Sequence, residues 1–425
     1  MIDLKDLRDR PEHYQVGCDR KRVAVNISDF LALDQQYREQ TVQVESLRSQ
    51  QNLFNKELAK LSKEQKSAKL AEMKEISERL KHLSQELKEL ESKWQAMQLQ
   101  IPSPPLAEVP DGKDDTENVE IKKVGEISKF SFEPKDHVEL GKILNIIDIE
   151  RGVKIAGARN YFLKGDGARL QHAILQLAMD HLHRKGFTLF DPPIIVKYEA
   201  MMGTGYFPGG EDQAFQLDQR DPDHFLIGTS EVPVCAYHYD EILNLNDLPK
   251  RYAGCSPCFR REAGTYGKDT HGIYRVHQFH KVEQVVLCEA DKKLSQDLHY
   301  ELLQNAEDLL ELLELPYRVV DVCTGDLGMG QVWKHDIETW MPSRQNYSET
   351  HSCSSFYDFQ ARRLGIRYKD TNGKNQYCYT LNNTCIASPR ILIPLLENHQ
   401  EEDGTVRIPK ALHRYMDNQT EINPA

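Results

Sequence analysis

The segment Cys255–Glu283, CSPCFRREAGTYGKDTHGIYRVHQFHKVE, opens with CxxC and closes on HxxH before a final glutamate. Those residue types could bind zinc, but the spacing is wrong for it. Cys258 and His277 are separated by 18 residues, where a zinc finger has about 12. His277 and His280, three apart on a strand, would also point to opposite faces. No zinc is therefore expected. Read instead as two strands joined by the irregular loop AGTYGKDTHG, the segment shows another pattern. Alternation sets Arg275, His277, Phe279, Lys281 and Glu283 on one face, and Arg260 with Glu262 on one face of the other strand. Arginine grips phosphate bidentately, an aromatic ring stacks on a base, and a carboxylate accepts from an amino group. That surface suits a nucleoside triphosphate; the alternative is a cross-strand ladder of salt bridges. GTGYFPGGED has the glycines of a phosphate loop but lacks GK[ST] before a helix. A triphosphate would have to be held by side chains on a sheet.

The elements that must position these groups span 425 residues, enough for two or three domains. No run approaches the roughly 18 apolar residues of a membrane helix. The start, MIDLKDLRDRPEHY, lacks an apolar stretch, so neither a signal peptide nor a membrane partner is expected. Nine cysteines without framework spacing read as reduced thiols and a cytoplasmic location. The net charge of −12 argues against a protein basic all over, but leaves room for a local basic surface.

Apolar residues recur at steps of three and four through Leu33, Tyr37, Val44, Leu47, Phe54, Leu58 and Leu61, with Gln40 and Gln51 in two slots. A second series runs from Met73 to Ile101. An average step of 3.5 marks a left-handed coiled coil. With SKEQKSAK as a turn and IPSPP as a stop, the two helices predict an antiparallel hairpin arm projecting roughly 45 Å. Lys60, Lys63, Lys66 and Lys69 cluster at its tip, either as a solvated face or as a contact for a phosphate backbone. PSPPLAEVPDGKDDTEN reads as a linker. Beyond it, runs of strands with separate amphipathic helices predict an α+β domain on an antiparallel sheet.

FRREAG followed by RVHQFHKVE resembles motif 2 of the class II aminoacyl-tRNA synthetases, in the form seen in seryl-tRNA synthetases. ARLQHAILQLAMDHLHRKGFTLFDPP resembles motif 1, a dimer-interface element, and LNNTCIASPRILIPLLENHQ resembles motif 3. GTSEVP is similar to the serine-binding segment, with serine where alanine is common, and YSETHSCSSFYDFQARRLGIRY to the segment before motif 3. The resemblance covers nearly the whole chain. It implies a tRNA-binding domain over 1–103, a linker over 104–126, a class II catalytic domain over 127–418 and a tail over 419–425.

The same resemblance implies roles. Arg260 would meet the α-phosphate and the serine carboxylate, and Glu262 the adenine amino group. Phe279 and Arg390 would stack on the adenine, Arg275 would hold the γ-phosphate, and Val276 would complete the ATP site. Glu349 and Ser352 would bind Mg²⁺, with His351 an unusual neighbour. Thr229 and Glu231 would take the serine ammonium, and Glu283, Thr384 and Asn382 its hydroxyl. Arg260, Arg275 and Arg390 would carry catalysis. The lysine tip would touch tRNA(Ser), and tRNA(Sec) where the host has one, across a homodimer; Thr265–His271 would be a lid. A paralogue with another amino acid or acceptor, or a silent coiled-coil binding protein, are the competing readings.

Overall fold

The computed structural model describes residues 1–58, 63–218, 220–264 and 271–425. The chain divides into two compact units, Met1–Pro104 and Pro105–Ala425.

In the first unit, helices α1 (Ile27–Leu58) and α2 (Lys63–Leu99) form the arm. Their lengths correspond to about 50 Å at 1.5 Å per residue. Tyr37 stacks on Trp94 with ring centroids 4.8 Å apart, and Val44 and Leu47 are buried between the helices. The two glutamines that interrupt the apolar series are used across the seam. Gln40 Nε2 donates to Glu86 at 3.4 Å, and Gln51 Nε2 donates to Ser77 Oγ at 2.9 Å. The segment expected as a turn, 62–69, is helical from Lys63 onward, because its lysines, glutamate, glutamine and alanine all favour helix. Lys60 and the side chains of Lys63, Lys66 and Lys69 lie outside the described residues, as does 265–270 of the expected lid. At the root, Leu7, Tyr14, Cys18, Ile27, Phe30 and Ile101 make a core belonging to this unit.

The second unit is built on an eight-stranded sheet. Its strands are β1 (Val119–Val124), β2 (Thr188–Phe190), β3 (Lys250–Phe259), β4 (Gln278–Cys288), β5 (Tyr317–Asp321), β6 (Trp333–Met341), β7 (Asn346–Tyr357) and β8 (Tyr379–Ser388). The spatial order is β1-β5-β6-β7-β8-β4-β3-β2, antiparallel throughout except for β2 beside β3. Helices α3 (Asp166–Arg184) and α4 (Lys292–Leu312) share one core with the sheet. Alternation divides the central strands sharply. Val282 and Val286 of β4, Leu381 and Cys385 of β8, Cys353 of β7 and Ile337 of β6 join that core. Gln284 and Asn383 also point to this side, where both donate to the Leu302 carbonyl of α4, at 3.1 and 2.7 Å. The odd residues of β4, with Lys334 of β6, Ser352 and Ser354 of β7 and Asn382 and Thr384 of β8, are left for the front, and a register shift at Thr350 brings Glu349 there as well.

Two expected boundaries are corrected. The expected linker, 104–126, is not a free segment beyond Pro104. Val109, with Leu106 against it, packs on Val322, Val332 and Trp333, and 119–124 form edge strand β1. Proline and acid dictate irregular backbone there without preventing two apolar side chains from reaching a core. The tail is likewise docked: Glu421–Ile422 pairs with Val406–Arg407, Ile422 is buried, and the Ala425 N–H donates to Ile143.

Candidate active site

Front-facing residues of β4, β8, β7 and β6 meet in register. Glu283 is opposite Thr384, Asn382 opposite Ser354, and Ser352 opposite Asp336. They open on a cavity of about 270 Å³. The residues assigned by resemblance all line it: Thr229, Glu231, Arg260, Glu262, Arg275, Val276, Phe279, Glu283, Glu349, Ser352, Asn382, Thr384 and Arg390.

One end is cationic. Arg260 follows β3, where its N–H donates to the His277 carbonyl at 3.0 Å, so the two halves of the hairpin stay joined past the strand end. Its Nε donates to Gly228 at 3.2 Å, and its guanidinium lies 5.2 Å from the Phe279 ring centroid. Glu262 has a left-handed φ of 51°, and its Oε2 lies 3.4 Å from Arg275 Nη1. Arg390 donates to the Glu349 carbonyl at 3.3 Å and lies 3.8 Å from its carboxylate. Desolvation alone would raise the Glu349 pKa, but Arg390, Lys334, Arg260 and Arg275 hold it below the usual carboxylate range.

The other end is anionic and buried. The Glu231 N–H donates to Thr229 Oγ1 at 3.2 Å, and Gln360 Nε2 donates to Glu231 Oε1 at 2.7 Å. Burial, and then the charge of Glu283, push the Glu231 carboxyl up to about 7. Ser230, between them in sequence, turns away and donates to the Gly254 carbonyl at 3.0 Å. Glu283 is 2% exposed and pairs with Lys281. Chemically, the cleft offers arginines for phosphates at one end and carboxylates for an ammonium and a hydroxyl at the other.

Comparison with known proteins follows the same division. Residues 1–105 match the seryl-tRNA synthetase N-terminal domain, and 215–399 match the tRNA synthetase class II core domain (G, H, P, S and T). The serine–tRNA ligase of Deinococcus radiodurans is 45% identical, over 98% of this chain and 97% of that protein. The chain belongs to the seryl-tRNA synthetases. The crystal structure of a seryl-tRNA synthetase from Pyrococcus horikoshii complexed with ATP superposes with a TM-score of 0.90 at 39% identity, covering 100% of both chains. The Naegleria fowleri cytoplasmic serine–tRNA ligase in complex with AMP gives 0.85 at 29% identity, covering 97% of this chain and 96% of that one.

In this seryl-tRNA synthetase, two expected neighbours fall elsewhere. His277 does not line the cleft, and its Nδ1 is 2.9 Å from the Arg260 carbonyl. Regular strand begins only at Gln278, so period-two alternation does not reach back to it, and the consecutive Arg275 and Val276 both line the cavity. His351 is buried away from the cleft with its Nδ1 2.8 Å from Thr350 Oγ1, so it does not alter the metal neighbourhood directly. Sequence reasoning missed Lys334, Asp336, Tyr274 and Gln360. Lys334 reaches Asp336 at 2.9 Å, and although burial would lower its pKa, Asp336 and Glu349 hold it high. Tyr274 carries Arg344 and Arg390 over its ring, 4.0 and 4.4 Å from the centroid. The signal for Lys334 and Asp336 was alternation on β6, a strand whose mixture of His, Asp and Glu hid its period.

Proposed function

We propose that the chain activates serine with ATP and transfers it to tRNA, with the residue roles set out from the family resemblance. The observation that carries this reading is Arg260, lining one cleft together with Arg275, Arg390 and the carboxylates Glu231 and Glu283. From there its guanidinium can hold the α-phosphate and the serine carboxylate together. Arg275 takes the γ-phosphate, Glu262 the adenine amino group, and Phe279 and Arg390 stack on the base beside Val276. Thr229 and Glu231 hold the ammonium, and Glu283, Thr384 and Asn382 surround the hydroxyl. The carboxylate attacks the α-phosphorus in line, pyrophosphate leaves, and a terminal ribose hydroxyl of tRNA then displaces AMP from the acyl carbon. No protein nucleophile is needed; positioning and charge stabilisation suffice.

The donor set at the ATP end fits a hard divalent cation. Glu349 and Ser352 supply oxygens, and Asp336 Oδ1, on the strand paired with Ser352, is buried with no hydrogen-bond partner among the described residues. Mg²⁺ takes one or two carboxylates plus phosphate oxygens in such sites, and when bound would neutralise phosphate charge there. The arm takes tRNA(Ser) by phosphate contacts through Lys60, Lys63, Lys66 and Lys69, and tRNA(Sec) where one exists, in a homodimer in the cytoplasm.

The test is ATP–pyrophosphate exchange with serine, threonine, cysteine and alanine. Serine should stimulate exchange by at least about a hundredfold over alanine, because a buried site built to pair a hydroxyl rejects the analogue lacking it. Stimulation by another amino acid in preference to serine would overturn the reading.

A further inference from the structure

The serine pocket contains a buried ammonium group that the functional reading leaves without a task. Lys281, 6% exposed, lines the cleft two residues before Glu283 on the same face of β4. Its Nζ pairs with Glu283 Oε2, and Thr384 Oγ1, 3.5 Å away, donates to that same oxygen. Both contacts fall on one side of the carboxylate. Oε1 receives no hydrogen bond from any described residue. Backbone geometry reinforces this: the β4–β8 register shifts between Val282 and Glu283, so Glu283 rather than its neighbour faces Thr384. Lys281 also lies close enough to Glu231 to act on its charge, opposite in sign to the action of Glu283.

We infer that Lys281 is a positioning residue for amino-acid selection. It clamps Oε2 of Glu283, so that Oε1 is presented to the hydroxyl of the substrate. A paired carboxylate oxygen offers lone pairs and no proton, so it accepts from a hydroxyl and gains nothing from a methyl group. Lys281 thus acts through Glu283 and touches no reacting atom. The inference rests on the serine reading of this cleft.

The decisive experiment is a double-mutant cycle in the full-length protein, using Lys281→Met, Glu283→Gln and the pair, with serine-stimulated exchange as readout. Lys281→Met should raise the serine KM by at least about tenfold, the scale of a lost buried charge partner. It should leave the ATP KM within about twofold and compress the serine-to-cysteine preference. In the Glu283→Gln background the same change should add less than about twofold, because the group it acts through is altered. Lys281→Arg, which keeps the charge, should restore part of the preference and serves as the readout if Lys281→Met does not fold. Multiplicative losses in the cycle, or a serine KM unchanged in a folded Lys281→Met, would overturn the inference while the serine reading stands. A wild type without serine-stimulated exchange would overturn both.

Discussion

Burial and the Glu283 charge together bring Glu231 to about 7, so under the proposed assignment the substrate's ammonium would meet a carboxyl that is partly protonated at neutral pH. An ammonium ligand binds the ionised form, so binding must release a proton wherever the carboxyl holds one. The serine KM in exchange should therefore be level above pH of about 8, and rise toward tenfold per unit as pH falls below about 7. The ATP KM should stay level over the same range, since Glu349 is held ionised by the arginines around it. Steady-state exchange at a series of pH values checks this. A serine KM flat from about pH 5.5 to 8 would remove Glu231 as the ammonium's partner. The types Glu231, Glu262 and Glu283 are visible in sequence, but their different environments are not. Glu262 beside Arg275, Glu283 beside Lys281 and Glu231 beside Gln360 acquire those partners only when the sheet is assembled.

At the scale of elements, periodic segments were legible and contact-dependent ones were not. The heptad spacing of α1 and α2 and the alternation of β4 depend on neighbours in sequence. β6 and β7 place His335, Asp336, Glu349 and His351 among apolar residues, and their alternation makes sense only once one face is a polar cleft and the other a helix-covered core. The arm also hid its polar anchor. Asp34 of α1, 1% exposed, receives Arg8 through both carboxylate oxygens at 2.8 Å, Arg38 at 3.1 Å and the Trp94 indole N–H at 3.1 Å. Burial would raise its pKa, yet the Arg8 and Trp94 hydrogen bonds hold it below the usual range. Asp34→Ala leaves these donors without their acceptor, an expected loss of about 2 kcal/mol after allowing for a partly exposed Arg8. Thermal denaturation followed by circular dichroism should show the arm's transition at lower temperature, with serine-stimulated exchange unchanged. In the wild type the stabilisation is present above about pH 4 and fades as pH falls through the depressed value. An unshifted midpoint in Asp34→Ala would rule out Asp34 as the anchor.

The whole molecule joins a catalytic sheet to an arm, and each unit has a core of its own. Leu7, Tyr14, Phe30 and Ile101 belong to the first, while the core of the second draws on α3, α4 and the sheet. The family match to residues 1–105 ends within a residue of the boundary at Pro104. A chain of −12 net charge has no general affinity for a polyanion, so tRNA must be held by local basic surface. Removing residues 1–104 should separate the two activities. The remaining 105–425 keep every cleft residue, so ATP–pyrophosphate exchange with serine should stay within about threefold of the full chain, the scatter expected for independent modules. Aminoacylation of tRNA(Ser) should fall by at least about a hundredfold, since loss of the proposed lysine–phosphate contacts would weaken polyanion binding by orders of magnitude at moderate salt. In the full chain, neutralising Lys60, Lys63, Lys66 and Lys69 together should flatten the salt dependence of tRNA binding by roughly 0.9 for each phosphate they had neutralised, with exchange untouched. Loss of exchange in 105–425 would mean that the arm unit supports the sheet. Retention of charging would mean that tRNA is held by the catalytic unit, and that the lysine tip is a solvated surface.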